Sequence, residues 1–171
     1  MSGADCPGES EETHMDESLK RMFDLSGRTA VVTGVSRGLG ISFARGLTKA
    51  GCDLTIVARN LDRLKQVAEE LRGYGHRIVP LKVDVTSRRD VGRMVSTTVS
   101  EFGTIDILVN NAGIATVVEA EDMTEDQWKK VLDTNITGLF FCVQAVGRQM
   151  LRQGHGKIIN IASMYGINYL R

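Results

Sequence analysis

The chain has 171 residues, a length expected for one globular domain. Its 21 basic and 21 acidic side chains cancel, so the net charge gives no indication of a nucleic-acid partner. Its apolar runs stay well short of the roughly 18 residues that span a bilayer, and its acidic N-terminus lacks the apolar segment of a signal peptide. We therefore expect a cytoplasmic protein that does not enter a membrane.

The charges are unevenly distributed along the chain. Residues 1–24 hold seven acids and two bases, whereas residues 25–171 hold 14 acids and 19 bases. The polar, acidic composition of residues 1–22 predicts a disordered extension, and residues 23–171 are expected to form the folded domain. A mildly basic domain suits an anionic cofactor or substrate, although a chance distribution of solvated side chains explains the excess equally well.

The cysteines and histidines do not form a metal-binding pattern. They are Cys6, Cys52, Cys142, His14, His76 and His155, with no Cys-x-x-Cys pair and no histidine at ligand spacing from a cysteine. Metal sites usually need such residues in closely spaced pairs, so no metal site is expected. Cys52 and Cys142 lie in apolar patterns, which predicts reduced cysteines in the core rather than a disulfide.

From residue 28 onward, short apolar strands alternate with helical patterns. The predicted strands are Arg28–Thr33, Asp53–Ala58, Arg77–Val83, Ile105–Val109 and Lys157–Ala162. The predicted helices are Gly38–Gly51, Asn60–Leu71, Ser87–Gly103 and the long Glu125–Arg152, with Asn60, Ser87 and Thr124 as N-caps. This alternation indicates a Rossmann-like, doubly wound α/β fold of three layers, with about five parallel strands between the helices. Right-handed crossovers bring the carboxyl ends of the strands to one edge, where such sheets bind ligands.

A glycine-rich turn follows the first predicted strand. Gly34, Gly38 and Gly40 are spaced as Gly-x-x-x-Gly-x-Gly between an apolar strand and a helical pattern. Such a turn presents backbone N–H groups and a helix N-terminus to a phosphate, while Ser36 and Arg37 add a hydroxyl and a positive charge. We expect Gly34 to allow the sharp turn, Gly38 the approach of a pyrophosphate and Gly40 close packing of helix on strand. The alternative is a glycine-rich turn without a ligand.

The second predicted strand leads into Arg59, at a position where sites that prefer NAD usually carry an acidic residue for the ribose 2′-hydroxyl. A guanidinium at this position suits a 2′-phosphate instead, and Arg37 can approach it from the glycine-rich turn. The two residues therefore predict NADP(H) in preference to NAD. The alternative is that Arg59 is a solvated loop residue.

Four further polar positions lie at or near the same edge. Asp84 follows the third strand, where its carboxylate can accept a hydrogen bond from an adenine amino group. The Asn-Asn-Ala-Gly turn at 110–113 follows the fourth strand, and its amides either fix the turn or contact a ribose. Asn135 lies near the apolar face of the long helix, where it either satisfies local backbone carbonyls or holds a water for a proton relay. Ser163 follows the fifth strand, where it either caps the chain or polarises a substrate carbonyl.

In order and spacing, these residues resemble the classical short-chain dehydrogenase/reductase family. The resemblance is carried by Thr33–Gly40, Asp84, Asn110–Gly113, Asn135 and Ile159–Ser163, and it extends over about 23–171. The segments Phe23–Arg28 and Arg59–Asn60 are most similar to the gluconate 5-dehydrogenase and 3-oxoacyl-carrier-protein reductase branches. The resemblance implies an NADP(H)-dependent oxidoreductase that transfers hydride between the nicotinamide and a small carbonyl or alcohol substrate. It also implies a homo-oligomer in the full-length protein, since this family commonly pairs through the long helix.

The resemblance assigns roles to individual residues. Those that would hold the cofactor phosphates are Gly34, Ser36, Arg37, Gly38, Leu39 and Gly40, with Arg59 on the 2′-phosphate. Asp84 and Val85 would hold the adenine, and Asn111 the adenosine ribose. In catalysis, Asn135 would anchor the relay water and Ser163 would orient the substrate carbonyl.

The sequence departs from the family pattern after Ser163. The family's acid–base pair is a tyrosine about thirteen residues past this serine and a lysine about four further on, positions that lie beyond Arg171. No Tyr-x-x-x-Lys occurs in the sequence, and Tyr165 and Tyr169 are too close to Ser163 to take the role. We therefore expect a chain truncated before the catalytic pair and inactive as it stands. The alternative is a non-catalytic NADP-binding or regulatory protein that assembles with a full-length partner.

Overall fold

The structure is a computed structural model that describes residues 21–163. The expectations for residues 1–20 and 164–171, which include most of the acidic extension and both Tyr165 and Tyr169, lie outside the described residues.

Strands and helices alternate along the described chain. The strands are β1 (Thr29–Thr33), β2 (Asp53–Ala58), β3 (Ile78–Lys82), β4 (Ile107–Asn110) and β5 (Lys157–Asn160). The α-helices are α1 (Leu39–Lys49), α2 (Leu61–Arg72), α3 (Arg88–Phe102), α4 (Glu125–Leu132) and α5 (Leu139–Gln153). A π-helical segment, Asp133–Gly138, joins α4 to α5, and a short 3₁₀ turn, Ala120–Asp122, precedes α4.

The strands form one parallel sheet in the order β3-β2-β1-β4-β5. The chain runs outward from β1 through β2 to β3, and then returns to β4 on the other side of β1. Loops that leave β1 and β4 therefore diverge to opposite sides and open a crevice at the carboxyl edge of the sheet, where ligands of such folds bind. The predicted Rossmann-like α/β fold is confirmed.

The two faces of the sheet carry separate apolar clusters because side chains alternate along each strand. Ala30 and Val32 of β1 lie in the cluster that contains residues of α1 and α2. Val31 lies in the other cluster, with residues of α3 and α5. Cys52 belongs to the first cluster and Cys142 to the second, and both thiols are buried and free, as the sequence predicts.

The predicted N-caps form the expected hydrogen bonds. Asn60 Oδ1 accepts from the backbone N–H of Arg63 at 2.9 Å, and Ser87 Oγ accepts from Asp90 at 3.3 Å. Thr124 Oγ1 accepts from Gln127 N at 3.3 Å, while Gln127 Oε1 accepts from Thr124 N at 2.9 Å, which completes a capping box. These bonds satisfy N–H groups that have no partner within the helix.

The long helix predicted over Glu125–Arg152 is wrong in its middle, where the structure contains the π segment. Thr134 Oγ1 donates to the carbonyl of Lys130 at 3.1 Å, a hydrogen bond within the helix that tends to bend it. Asn135 turns its amide to the loop after β4, and Gly138 admits the side chain of Val85. These contacts coincide with the departure from regular α-helical winding.

The predicted ends of the other elements lie within two residues of those observed. β4 begins at Ile107 rather than Ile105, because the Asp106 carboxylate itself accepts a hydrogen bond from Thr29 N at 2.9 Å. β5 ends at Asn160 rather than Ala162, because its partner β4 ends at Asn110. The sequence pattern shows apolar character but not where a neighbouring strand stops.

Candidate functional site

A cavity of about 1250 Å³ lies at the carboxyl edge of the sheet. Its walls include every residue that the sequence predicts to bind the cofactor except Gly40. Ala112, Gly113, Ile114 and Thr134 complete the wall formed by the loop after β4 and by the π segment. The structure therefore brings together residues from the ends of β1, β2, β3 and β4, while Asn135 and Ser163 lie outside the wall of this cavity.

The glycine-rich turn is held against β2 by its own backbone. The N–H groups of Gly34 and Val35 donate to the carbonyl of Val57, at 2.8 and 3.2 Å. Gly38 has a φ of +61°, a conformation that favours glycine, and no heavy atom lies within 4 Å of the place where a Cβ would stand. The turn thus leaves open space directly before the first turn of α1, as a backbone cradle for a phosphate requires.

Gly40 supports this cradle from behind. A Cβ on Gly40 would collide with the carbonyl oxygen of Gly34 and would lie 2.7 Å from Asn111 Nδ2. The close approach therefore joins the beginning of α1 to the turn itself, whereas the sequence predicts an approach of helix to strand. Gly40 shapes the cradle without lining it.

Thr33 and Asn111 form a polar clasp between β1 and the loop after β4. Thr33 Oγ1 accepts from the N–H groups of Asn111 and Ala112, both at 3.0 Å. Asn111 Nδ2 donates to the carbonyls of Thr33 and Gly34, at 2.9 and 3.2 Å. The sequence predicts that this amide either fixes the turn or contacts a ribose. Its Nδ2 fixes the turn.

Asn110 lies at the buried end of β4 beside Asn160 of β5. Its Nδ2 donates to Asn160 Oδ1 at 2.9 Å. Its Oδ1 is buried and has no hydrogen-bond partner among residues 21–163. The first asparagine of the turn therefore links two strands, while the second holds the glycine-rich turn.

Three arginines surround the end of the cavity near β2. Arg37 and Arg59 are exposed, line the cavity, and make no hydrogen bond or ion pair within the part of the chain that the structure describes. Arg63, which is not among the residues predicted from the sequence, lines it as well. Its spacing was an available signal, because it lies three residues after the N-cap Asn60 and hence in the first turn of α2.

Asp84 and Val85 form the wall beyond β3. Asp84 Oδ1 accepts from Thr86 N at 3.0 Å and from Thr86 Oγ1 at 2.8 Å, so this oxygen shapes the loop. The Oδ2 atom makes no hydrogen bond to the described residues and remains an acceptor. Val85 is buried against Gly138 of the π segment, where a Cβ would lie 2.8 Å from Val85 Cγ2.

The amide of Asn135 binds the loop after β4 at both ends. Its Oδ1 accepts from Ile114 N at 2.9 Å, and its Nδ2 donates to Ile114 O at 2.8 Å. The hydrogen bonds therefore go to a loop 21 residues away and not to carbonyls of its own helix. Ser163 is exposed and follows β5 at the carboxyl edge.

The family model described as short chain dehydrogenase matches residues 28–170. The chain belongs to the short-chain dehydrogenase family. Its relatives include 2-dehydro-3-deoxy-D-gluconate 5-dehydrogenase of Dickeya dadantii, which is 44% identical over 143 residues, covering 83% of this chain and 56% of the relative. The 3-oxoacyl-(acyl-carrier-protein) reductase FabG of Staphylococcus epidermidis is 40% identical over 140 residues, covering 81% of this chain and 57% of the relative. The chain thus spans about half the length of the curated relatives that it matches.

Solved structures of short-chain dehydrogenases share this fold. A short-chain type dehydrogenase/reductase from Mycobacterium marinum superposes with a TM-score of 0.85 at 40% identity, covering 88% of this chain and 61% of that one. NAD⁺-bound xylitol dehydrogenase superposes with a TM-score of 0.82 at 34% identity, covering 85% of this chain and 56% of that one. An actinorhodin polyketide ketoreductase variant with NADPH superposes with a TM-score of 0.80 at 34% identity, covering 84% of this chain and 56% of that one. Both nicotinamide cofactors thus occur among the structural relatives.

No helix within 21–163 combines the length and apolar character needed to cross a membrane. Within the same range, no group of three or more His, Cys, Asp or Glu side chains is arranged to hold a metal ion.

Proposed function

We propose that this short-chain dehydrogenase is an NADP(H)-dependent oxidoreductase that transfers hydride between the nicotinamide and a small carbonyl or alcohol substrate. The observation that carries the NADP assignment is the position of Arg59 after β2, with Arg37 on the wall of the same cavity. A 2′-phosphate is a dianion that guanidinium groups bind well, whereas an NAD site usually has a carboxylate here. The family membership and the names of the relatives support the carbonyl or alcohol chemistry.

The residues that are present fit such a cofactor. The open space at Gly38 would accept a pyrophosphate against the backbone, and the guanidiniums of Arg37 and Arg59 would hold the 2′-phosphate. Asp84 Oδ2 would accept from the adenine amino group, and Asn111 would contact the adenosine ribose. When bound, the nicotinamide supplies or accepts the hydride.

Two residues outside the cavity would act on the substrate side. We assign Ser163 to orient and polarise the substrate carbonyl through its hydroxyl. We assign Asn135 to the proton relay, because it lies in the π segment and such segments occur frequently at functional sites. Because both ends of its amide bind Ile114, the side chain of Asn135 fixes this part of the helix against the loop.

The cofactor assignment is tested by calorimetric titration of the purified chain with NADPH and NADH. We expect NADPH to bind more tightly, and Arg59→Asp to weaken NADPH by about 10- to 100-fold, the value of one or two charged hydrogen bonds. NADH should bind the variant as well as, or better than, the original chain. Equal affinities of the original chain for the two cofactors would contradict the assignment.

We also propose that a polypeptide of these 171 residues binds the cofactor without efficient turnover. The family's tyrosine and lysine have no counterpart in this sequence, and positioned acid–base groups typically contribute about 10²–10⁴-fold to the rate. NADPH oxidation with small ketones should therefore be slower by at least that factor than in a full-length relative assayed in parallel. A comparable rate would show that another group supplies the proton.

For partners we propose a homo-oligomer that acts in the cytoplasm, where buried thiols such as Cys52 and Cys142 stay reduced. An apolar stripe on α4, the π segment and α5 supports pairing of two copies. Its members are Trp128, Leu132, Ile136 and Phe140, which recur every fourth residue and are 37–62% exposed. Ile136→Glu should lower the mass measured by sedimentation, whereas Val117→Glu, on a loop residue that is 99% exposed, should not.

A further inference from the structure

Arg63 joins the beginning of α2 to the glycine-rich turn. Its Nε donates to the backbone carbonyl of Ser36 at 3.4 Å, and its Nη1 donates to Gln66 Oε1 at 2.9 Å. Both are neutral acceptors, so the charge of this guanidinium is not compensated by either hydrogen bond. Its Nη2 group makes no hydrogen bond to the described residues, although it belongs to a side chain that lines the cavity.

The neighbouring charges leave this end of the cavity positive. Arg37, Arg59 and Arg63 all line it, and the carboxylate of Asp62, in the first turn of α2, lines it as well. No ion pair within residues 21–163 joins Asp62 to any of the three arginines. An anion placed between β2 and the glycine-rich turn would therefore meet three guanidiniums from three different segments of chain.

Of the three arginines, Arg63 is held in place by the most hydrogen bonds to the described residues. Its backbone N–H is fixed by the N-cap Asn60, and its guanidinium is held at Nε and Nη1. Arg37 and Arg59 must each be ordered when the anion binds, at a cost in side-chain entropy. A guanidinium that is already held loses less entropy for each hydrogen bond that it forms.

We propose that Arg63 is a specificity-determining residue that binds the 2′-phosphate together with Arg37 and Arg59. This inference rests on the proposed NADP(H) function and adds a third cation to the same site. The unused Nη2 donor makes the contact with the phosphate, while Nε keeps the guanidinium against Ser36. Arg63 thereby raises the affinity for NADPH over NADH, because it contacts only the 2′-phosphate and not the parts that the two cofactors share.

The test compares Arg63→Gln with Lys65→Gln by calorimetry. Lys65 is an exposed cation on the same helix that does not line the cavity, so it controls for a general loss of positive charge. Arg63→Gln should weaken NADPH binding by about tenfold, the value of one charge-assisted hydrogen bond, and leave NADH binding unchanged within twofold. Lys65→Gln should change neither. Adenosine 2′,5′-bisphosphate should repeat the NADPH result, and 5′-AMP the NADH result.

Each other outcome overturns the inference in a recognisable way. Equal weakening of both cofactors by Arg63→Gln would show that Arg63 only holds the turn. No change in either would show that the contact with the phosphate does not form. If the original chain does not prefer NADPH, the proposed cofactor itself is wrong, whereas a preference that survives Arg63→Gln leaves that proposal standing. Thermal unfolding of each variant confirms that it is folded.

Discussion

Asn111 holds the glycine-rich turn through two hydrogen bonds from its side chain. Its Nδ2 faces two carbonyl oxygens, so an oxygen at the same place would meet repulsion rather than two hydrogen bonds. We expect Asn111→Asp to lower the free energy of unfolding by about 2–3 kcal/mol, measured by urea denaturation. The matched control is Asn60→Asp, which keeps an N-cap acceptor and should change the stability by less than about 0.5 kcal/mol. Similar losses for both would show that the clasp is not stabilising.

The two buried thiols make stability sensitive to alkaline pH. Burial raises the pKa of Cys52 to about 12 and that of Cys142 to about 12. A thiol in the unfolded chain has a pKa of about 8.5, so the folded state holds these protons more tightly. Their contribution to stability is therefore fully present below about pH 8.5 and is lost as the pH rises toward the folded pKa.

We expect the free energy of unfolding to fall between about pH 9 and pH 12 by up to about 1.4 kcal/mol per thiol for each pH unit. Urea denaturation at pH 8 and pH 10 measures this change. The double variant Cys52→Ala/Cys142→Ala removes both titrating groups and should show a weaker pH dependence. The same dependence with and without the thiols would rule them out as its source.

At the scale of single residues, the sequence predicts the location of a side chain when that location follows from its distance to a strand end along the chain. The sequence places Arg59, Gly34 and Gly38 at the edge where the cavity lies because each follows a strand end at a fixed distance. Arg63 was missed because its contact with Ser36 joins two segments 27 residues apart and depends on the direction of a long side chain. The hydrogen bonds between Asn135 and Ile114 are of the same kind, since no local pattern records which loop faces a helix.

Among the elements, the π segment interrupts the regular α-helical winding between α4 and α5. At Gly138 a Cβ would lie 2.8 Å from Val85 Cγ2, so Gly138→Ala should destabilise the fold by about 1–3 kcal/mol through overpacking. Gly147 of α5 has no heavy atom within 4 Å of its Cβ position, and Gly147→Ala should stabilise by up to about 1 kcal/mol through helix propensity. Thermal and urea unfolding of the two variants should shift in opposite directions. A loss of stability in both would mean that glycine is needed throughout this helix.

The helix over 125–153 also shows the limit of hydrophobic periodicity. The sequence gives one broad apolar stripe along it, and the structure divides that stripe into two faces. Cys142, Val146 and Met150 are buried against the sheet, whereas Trp128 and Ile136 are 54% and 62% exposed. Periodicity identifies apolar residues, but it does not show which of them face the sheet and which remain on the outer surface.

For the whole molecule, β5 is the outer strand of the described sheet on the side away from β3. Ile159 on this strand is 47% exposed, whereas Ile158 packs against the cluster of α3 and α5. An exposed apolar edge strand is a route to association through strand pairing, and a lysine there opposes it. We therefore expect Ile159→Lys to reduce the light scattering of concentrated solutions of this 171-residue polypeptide.

The matched variant Ile158→Lys separates this effect from folding. It places a charge at a partly buried position against the cluster of α3 and α5 and should lower the free energy of unfolding by about 1–2 kcal/mol, whereas Ile159→Lys should change it by less than about 0.5 kcal/mol. Unchanged scattering with Ile159→Lys would show that association uses another surface.

The clasp between Thr33 and Asn111 joins positions 78 residues apart, across the central strand pair of the sheet. The cavity wall therefore exists only when both halves of the sheet have come together, and a partly folded chain has no site to offer. A ligand that binds only this completed state shifts the folding equilibrium by mass action, by about 2.7 kcal/mol when its concentration is a hundred times its Kd. Cofactor supply would then govern how long the chain survives proteolysis, quite apart from any hydride that it transfers.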